Sequence, residues 1–98
     1  MLYEELLNRQ SMRDYLQGNY DEDFVNSEQA YLLRVVSGVI RNRLTRRQRE
    51  ITLLYYKNGL TMEQIAEQLH LNKSTVSRHL ARTREKIKGI LACFYDPI

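Results

Sequence analysis

The chain has 98 residues, of which 43% are hydrophobic, with one Cys, one Pro, four Gly and a formal net charge of +3. This length allows a single domain with a modest core, the lone Cys excludes an intramolecular disulfide, and no apolar run is long enough to span a membrane. The opening MLYEELLNRQ lacks the basic and then apolar segments of a signal peptide, so we expect a cytoplasmic, mainly helical protein.

The charge is divided unevenly along the chain. Residues 1–40 contain seven acidic and three basic side chains, whereas residues 41–98 contain twelve basic and five acidic ones. A basic half of this kind is typical of contact with phosphate. We therefore expect the C-terminal half to bind nucleic acid and the N-terminal half to have a different role.

Two amphipathic helices are predicted in the acidic half. The first covers residues 2–17 and ends at Gly18, and residues 19–26 form an acidic connector. The second runs from residues 26–27 to about Arg43 and is apolar over a wide face. Such a face is buried either against the basic half, completing the core of a monomer, or against a second copy. We favour the second copy, because proteins that bind DNA often pair across two half-sites.

A third helix is predicted to begin after Thr45, because Thr45 and Gln48 have the spacing of a capping box. The periodicity places Tyr55 on the inner face of this helix and Tyr56 on the outer face. Asn58-Gly59 is the expected end of the helix.

Several arginines surround the start of this third helix. They are Arg41, Arg43, Arg46, Arg47 and Arg49. Arginine forks suit phosphate oxygens, and the free amides of a helix start also favour an anion. The alternative is a solvated basic turn in which Arg47 pairs with Glu50. We favour phosphate binding, because the cluster is expected to lie close to the basic helix that begins near Lys73.

The segment LTMEQIAEQLHLNKSTVSRHL, residues 60–80, predicts two short helices joined by a tight turn. Thr61 opens the first of them with a second capping box. His70 and Leu71 form the turn, with Leu71 directed into the core, and Asn72 caps the second helix. This arrangement is a helix-turn-helix, whose second helix enters the major groove of DNA.

The second helix of the motif has two distinct faces. The core-facing stripe recurs at intervals of three and four residues and consists of Val76, Leu80, Thr83, Ile87 and Leu91. The opposite face is basic, polar or small and consists of Lys73, Ser74, Ser77, Arg78, Ala81, Arg82 and Glu85. Arg78 is suited to a bidentate contact with guanine.

Residues 44–88 resemble region four of bacterial sigma factors and the related LuxR-type DNA-binding domain. The shared positions are Leu44-Thr45, Arg47, Glu50, Gly59-Leu60-Thr61, Ile65-Ala66, Leu69 and Thr75-Val76. His70 stands where these families usually have Gly, which implies a slightly strained left-handed turn. No segment resembles region two, so the resemblance does not imply a complete sigma factor.

The resemblance implies a fold, a DNA-binding surface and a second partner. The fold is all-α, a small domain with a three- to four-helix, C-terminal helix-turn-helix preceded by two N-terminal helices. The expected base contacts are Lys73, Ser74, Ser77, Arg78 and Arg82. The expected phosphate contacts are Arg46, Arg47, Arg49, Thr61 and Thr75. In sigma factors the matching region also contacts RNA polymerase, which makes the polymerase an alternative partner.

These patterns divide the chain into an acidic helical segment for packing or dimerisation at 1–43, a DNA-binding domain at 44–92 and a short tail at 93–98. The favoured function is a sequence-specific transcription regulator that binds double-stranded DNA as a dimer. The alternative is a sigma-like module acting mainly on RNA polymerase or another regulator.

The two His and the Cys have no zinc-site or nucleophile–base spacing, and there is no glycine-rich phosphate loop. We therefore expect no enzyme activity, no metal and no cofactor.

Overall fold

The computed structural model describes residues 8–95, and this part of the chain is all-helical. The helices are α1 (Arg9–Leu16), α2 (Glu22–Val25), α3 (Glu28–Asn42), α4 (Arg46–Tyr56), α5 (Met62–Leu69) and α6 (Lys73–Tyr95). The predicted all-α class is confirmed, with α5 and α6 forming the helix-turn-helix. None of the helices in residues 8–95 combines the length and the apolar character needed to cross a membrane.

The starts of α4 and α5 follow the predicted capping boxes. The Thr45 hydroxyl accepts from the Gln48 amide at 3.2 Å, and the Gln48 side-chain oxygen accepts from the Thr45 amide at 3.1 Å. Thr61 and Gln64 form the same reciprocal pair, at 3.1 and 2.8 Å. Two otherwise unpaired amides are satisfied at each helix start, which fixes both boundaries.

The first helix differs from the prediction at its beginning. Asn8 has a ψ of 131°, outside the helical region, and its side chain accepts from two amides of the first turn. The helix therefore begins at Arg9. The prediction of one continuous helix over residues 2–17 is wrong, because the backbone of Asn8 is not helical. Residues 1–7 of the predicted helix lie outside the described part of the chain. The predicted end is confirmed, since Gly18 has a positive φ of 78° directly after this helix.

Two further boundaries differ from the prediction. The acidic connector contains α2, because the Asp21 carboxylate caps this short helix at the Phe24 amide, 2.9 Å away. At the other end, α6 includes Cys93 and continues to Tyr95, so the predicted tail begins too early. The chain has no proline before its last two residues to end the helix sooner. Residues 96–98 lie outside the described part.

One hydrophobic core joins the two halves of the chain. Its buried members are Met12, Leu32, Leu33, Val36, Val39, Ile40, Leu44, Ile51, Tyr56, Ile65, Ala66, Val76, Leu80, Ile87 and Leu91. The wide apolar face of α3 is buried within the same chain, where α3 contacts both α4 and α6. This packing corresponds to the monomer-core alternative for the N-terminal helices. Leu71 of the motif turn is half-buried and packs against this core.

The inner face of α4 is rotated relative to the prediction. Tyr56 is only 1% exposed, whereas Tyr55 is half-buried, the reverse of what the periodicity indicates. The Tyr56 hydroxyl accepts from Arg84 Nε at 2.8 Å, so the ring enters the core with its polar group satisfied. The Tyr55 ring lies nearer the surface, with Cζ of Arg9 4.1 Å from its centroid.

Helix α1 holds the turn between α4 and α5. Arg9, Arg13 and Gln17 are spaced by four residues and therefore share one helix face. Arg9 and Gln17 each donate to a backbone carbonyl of residues 57–60, at 2.7 and 2.8 Å. The Arg13 guanidinium lies against Gly59, where a Cβ would be 3.0 Å from it and where φ is +74°. The turn that precedes the helix-turn-helix is thus fixed from the N-terminal half.

The motif turn has the left-handed backbone that the sequence predicts, since His70 has φ 57° and ψ 43°. Replacing His70 with Gly is expected to raise the free energy of unfolding by up to about 1 kcal/mol, because Gly has no Cβ penalty in this region. Gln68→Gly, at an exposed right-handed position of α5, is the control and should lower it by about 1 kcal/mol. Denaturant midpoints measure both changes, and an equal loss in the two variants would contradict strain at His70.

Candidate nucleic-acid interface

Helix α6 presents the two faces that its sequence predicts. The stripe Val76, Leu80, Thr83, Ile87 and Leu91 is at most 1% exposed. Lys73, Ser74, Ser77, Arg78, Ala81, Arg82 and Glu85 are all exposed. The five side chains predicted to contact bases therefore lie together on one surface of the domain, at the start of α6. Their contact with DNA stays a prediction.

A buried polar pair helps to fix how α6 crosses α4. The hydroxyl of Thr52 donates to the hydroxyl of Thr83 across a distance of 3.2 Å, and both residues are fully buried. This hydrogen bond forms only when Thr52 of α4 faces Thr83 of α6. The rotation of α6 about its axis, and with it the direction of the exposed face, is thereby restricted.

Two of the predicted base-contacting side chains already have partners in the protein. Lys73 Nζ lies 2.7 Å from Glu63 Oε1, and this hydrogen bond holds the pKa of Glu63 below its usual value. Arg78 donates to the Thr75 hydroxyl oxygen at 3.2 Å. Arg82 makes no hydrogen bond or ion pair with any described residue. Because a guanidinium has five N–H donors, Arg78 keeps most of them for an incoming ligand.

The arginines predicted to bind phosphate have three different environments. Arg46 is exposed and forms no hydrogen bond or ion pair within residues 8–95. Arg47 pairs with Glu50 at 2.9 Å, the contact that the solvated-turn alternative predicts. Arg49 is half-buried and donates to two backbone carbonyls that precede α4, at 3.2 and 3.5 Å. Arg49 therefore joins α3 to α4, and Arg46 is the arginine most available to an anion.

The two threonines predicted to bind phosphate both accept hydrogen bonds within the protein. The exposed Thr61 accepts from the amide of Gln64, and the half-buried Thr75 accepts from Arg78. A hydroxyl that accepts in this way keeps its own proton as a donor. The Thr75 hydroxyl therefore keeps its proton for a phosphate oxygen, whereas the Thr61 hydroxyl also hydrogen-bonds to the Glu63 carboxylate.

His79 is a member of this surface that sequence reasoning did not identify. It is half-buried, and its Nδ1 is buried with no hydrogen-bond partner among the described residues. Partial burial, followed by the positive charges of Arg82, Arg47 and Arg78, lowers the pKa of His79. Arg47 of α4 and the two arginines of α6 all lie close enough to His79 to lower its pKa. The three arginines therefore belong to one positive surface. The spacing of three residues from Val76 is the signal that places His79 at the edge of the buried stripe.

Two of the later basic residues of α6, Arg84 and Lys86, contact other parts of the fold. Arg84 donates to the Tyr56 hydroxyl, and Lys86 Nζ donates to the backbone carbonyl of Arg43 at 2.8 Å. These contacts direct both side chains toward α4 and the α3–α4 connection. The surface available to DNA is therefore concentrated in the first turns of α6 and at the start of α4.

The chemistry of this surface is that of binding. Its side chains are arginines, a lysine and hydroxyl donors, which match the acceptors of phosphates and base edges. Residues 8–95 contain no group of three or more His, Cys, Asp and Glu side chains arranged to hold a metal ion.

Comparison with known proteins agrees with this geometry. Residues 42–87 match the family model described as sigma-70, region 4. The match runs from the last residue of α3 into α6 and includes the whole helix-turn-helix. No curated protein and no solved structure matches the chain. The match therefore supports a sigma region-four-like helix-turn-helix at residues 42–87. The LuxR-type resemblance stays a prediction.

Proposed function

We propose that this sigma region-four-like domain belongs to a sequence-specific transcription regulator that places residues 73–88 in the major groove of DNA. The observation that carries the proposal is the pair of faces on α6. A fully buried stripe anchors the helix, and the opposite face directs Ser74, Ser77 and Arg78 outward. Such a face at the start of a helix presents donors at the depth of base edges.

The two groups of side chains have different roles in this proposal. Arg78 and Arg82 contact base edges, and the serines contact a base or a neighbouring phosphate. Arg46, with Thr61 at the start of α5, contacts phosphates and sets the position of the domain on the duplex. Arg47 joins the phosphate contacts after leaving Glu50, an exposed pair whose loss costs little.

The experiment that tests this function is selection of binding sites from a pool of random duplexes with the purified protein. Enrichment of one sequence motif is the expected result. An inverted repeat with half-sites about one helical turn apart would support a dimer. Failure to enrich any sequence above bulk DNA would overturn the proposal.

We also propose that the protein binds DNA as a dimer. Most of the apolar surface of α3 is buried within one chain, so a second copy would cover other groups. Tyr20 and Val25 are 44% and 42% exposed and lie beside the acidic start of α2. Light scattering of the free protein and of its DNA complex measures whether two copies are present.

A second candidate function is a sigma-like interaction module that acts mainly on RNA polymerase. The match to sigma region four favours it, as does the exposed surface in which Tyr20 and Val25 flank the acidic residues 21–23. Binding of phosphates by arginines should weaken steeply as salt is added, whereas docking of a partly apolar surface on the polymerase should not. Either function places the protein in a bacterial cytoplasm, without enzyme activity or a cofactor.

Arg46→Ala is expected to weaken binding about equally for all DNA sequences. Loss of one phosphate contact should reduce the slope of log affinity against log salt by about 1. Lys57→Ala is the matched control, because Lys57 is an exposed cation at the opposite end of α4. Titrations at several salt concentrations measure both slopes. An equal change in the two variants would mean that net charge, and not the position of Arg46, determines the effect.

A further inference from the structure

An ion pair connects the starts of the two motif helices. Glu63 lies in the first turn of α5, and Lys73 is the first residue of α6. Their charged atoms are 2.7 Å apart, and the side chains are 64% and 60% exposed. The pair therefore spans the surface on which the predicted phosphate contact of Thr61 and the predicted base contacts of α6 meet.

The position of Glu63 is unusual for a DNA-binding surface. A carboxylate two residues after Thr61 would repel the phosphates that Thr61 is expected to contact. The start of a helix stabilises a negative side chain, and the hydrogen bond from Lys73 lowers the pKa of Glu63, so the carboxylate stays charged at neutral pH. The ion pair itself is exposed and contributes little to stability beyond what the helix start gives.

We infer that Glu63 is a specificity-determining residue, which holds Lys73 toward the base edges and disfavours binding to DNA of unrelated sequence. The inference rests on the proposed DNA-binding function and extends it to a residue outside the predicted contact set. Lysine has a flexible four-carbon side chain whose ammonium carries three donors. One donor is occupied by Glu63, which leaves two for the groove and restricts the positions that the ammonium can take.

Removing the carboxylate would release Lys73 and remove a repulsion at the same time. The free ammonium would then pair with the nearest phosphate, a contact that any sequence offers. Affinity for unrelated DNA should rise while affinity for the selected site changes less. The ratio of the two affinities is therefore the quantity that the ion pair controls.

The test compares Glu63→Gln with wild type on the selected duplex and on an unrelated duplex of equal length. We expect the affinity ratio to fall by roughly threefold to tenfold, the size of a weakened base preference at one position. Glu67→Gln is the matched control, because Glu67 is exposed one turn later on α5 and has no ion pair among the described residues. It removes the same charge and should leave the ratio unchanged.

A double substitution separates the ion pair from a general charge effect. In a Lys73→Gln background, Glu63→Gln should produce no further fall in the ratio, because the side chain that Glu63 holds is gone. An unchanged ratio in Glu63→Gln, or an equal fall in Glu67→Gln, would overturn the inference while leaving the proposed function intact. A wild-type protein with no sequence preference would instead overturn the proposed function, and this inference with it.

Discussion

Replacing Arg78 with Ala is expected to cost about 1–3 kcal/mol of binding free energy on the selected site and to relax base preference at one position of that site. Arg78 is exposed on α6, and its hydrogen bond to Thr75 at 3.2 Å holds the side chain on the surface opposite the buried stripe. In the proposed complex this guanidinium donates two parallel hydrogen bonds to guanine, which alanine cannot replace. Titration on the selected site and on single-base variants measures both effects.

Arg78→Lys is the matched control for this prediction. Lysine keeps the positive charge but lacks the planar fork, so the variant should retain affinity for unrelated DNA and still lose the base preference. If Arg78→Ala leaves affinity and preference unchanged, the base-contacting face is placed wrongly on α6. If it lowers the affinity for every sequence equally, Arg78 contacts phosphate instead.

Met12→Ala is expected to lower the free energy of unfolding of the whole described domain by about 2–4 kcal/mol. Met12 is 1% exposed and belongs to the same core as the helix-turn-helix, so its truncation leaves a cavity between the two halves. Val25→Ala is the control, because Val25 is 42% exposed and its change should stay within about 0.5 kcal/mol. Denaturant unfolding followed by circular dichroism measures both variants.

The dependence on protein concentration decides what the Met12 result means. Within a monomer core, the loss should be the same at every concentration, because no association accompanies folding. A loss for Met12→Ala that shrinks as the concentration is raised would indicate that the N-terminal helices are stabilised by a second copy. A change below about 0.5 kcal/mol would contradict the burial of Met12 in a shared core.

The sequence predicts best those features that are set by neighbours along the chain. The reciprocal pairs at Thr45 and Thr61 need only the three-residue spacing, and both occur in the structure. The buried stripe of α6 follows from a period that any amphipathic helix must have. The left-handed backbone of His70 agrees with the resemblance, since His70 stands where the similar families usually have Gly.

The features that escaped prediction depend on contacts between distant elements. Tyr55 and Tyr56 are adjacent, so periodicity barely separates them, and the choice depends on Arg84 from α6 and Arg9 from α1. The arginines at the start of α4 cannot be distinguished from the sequence alone. In the folded chain Arg49 donates to the carbonyl of Ile40, whereas Arg46 is exposed. A long charged side chain pairs with whichever groups the fold brings within its length, and the amino-acid composition does not show which groups those are.

The contact of α1 with the turn at 57–60 bears on protein engineering. Arg9 and Gln17 hold that turn from the acidic half, and Tyr55 is covered by the same helix. A fragment cut at the edge of the family match would lose these contacts and open the apolar face of α4 to water. The matched residues alone would therefore not keep this packing. A chimera that moves the proposed DNA-binding surface to another scaffold should carry α1 and α3 with it.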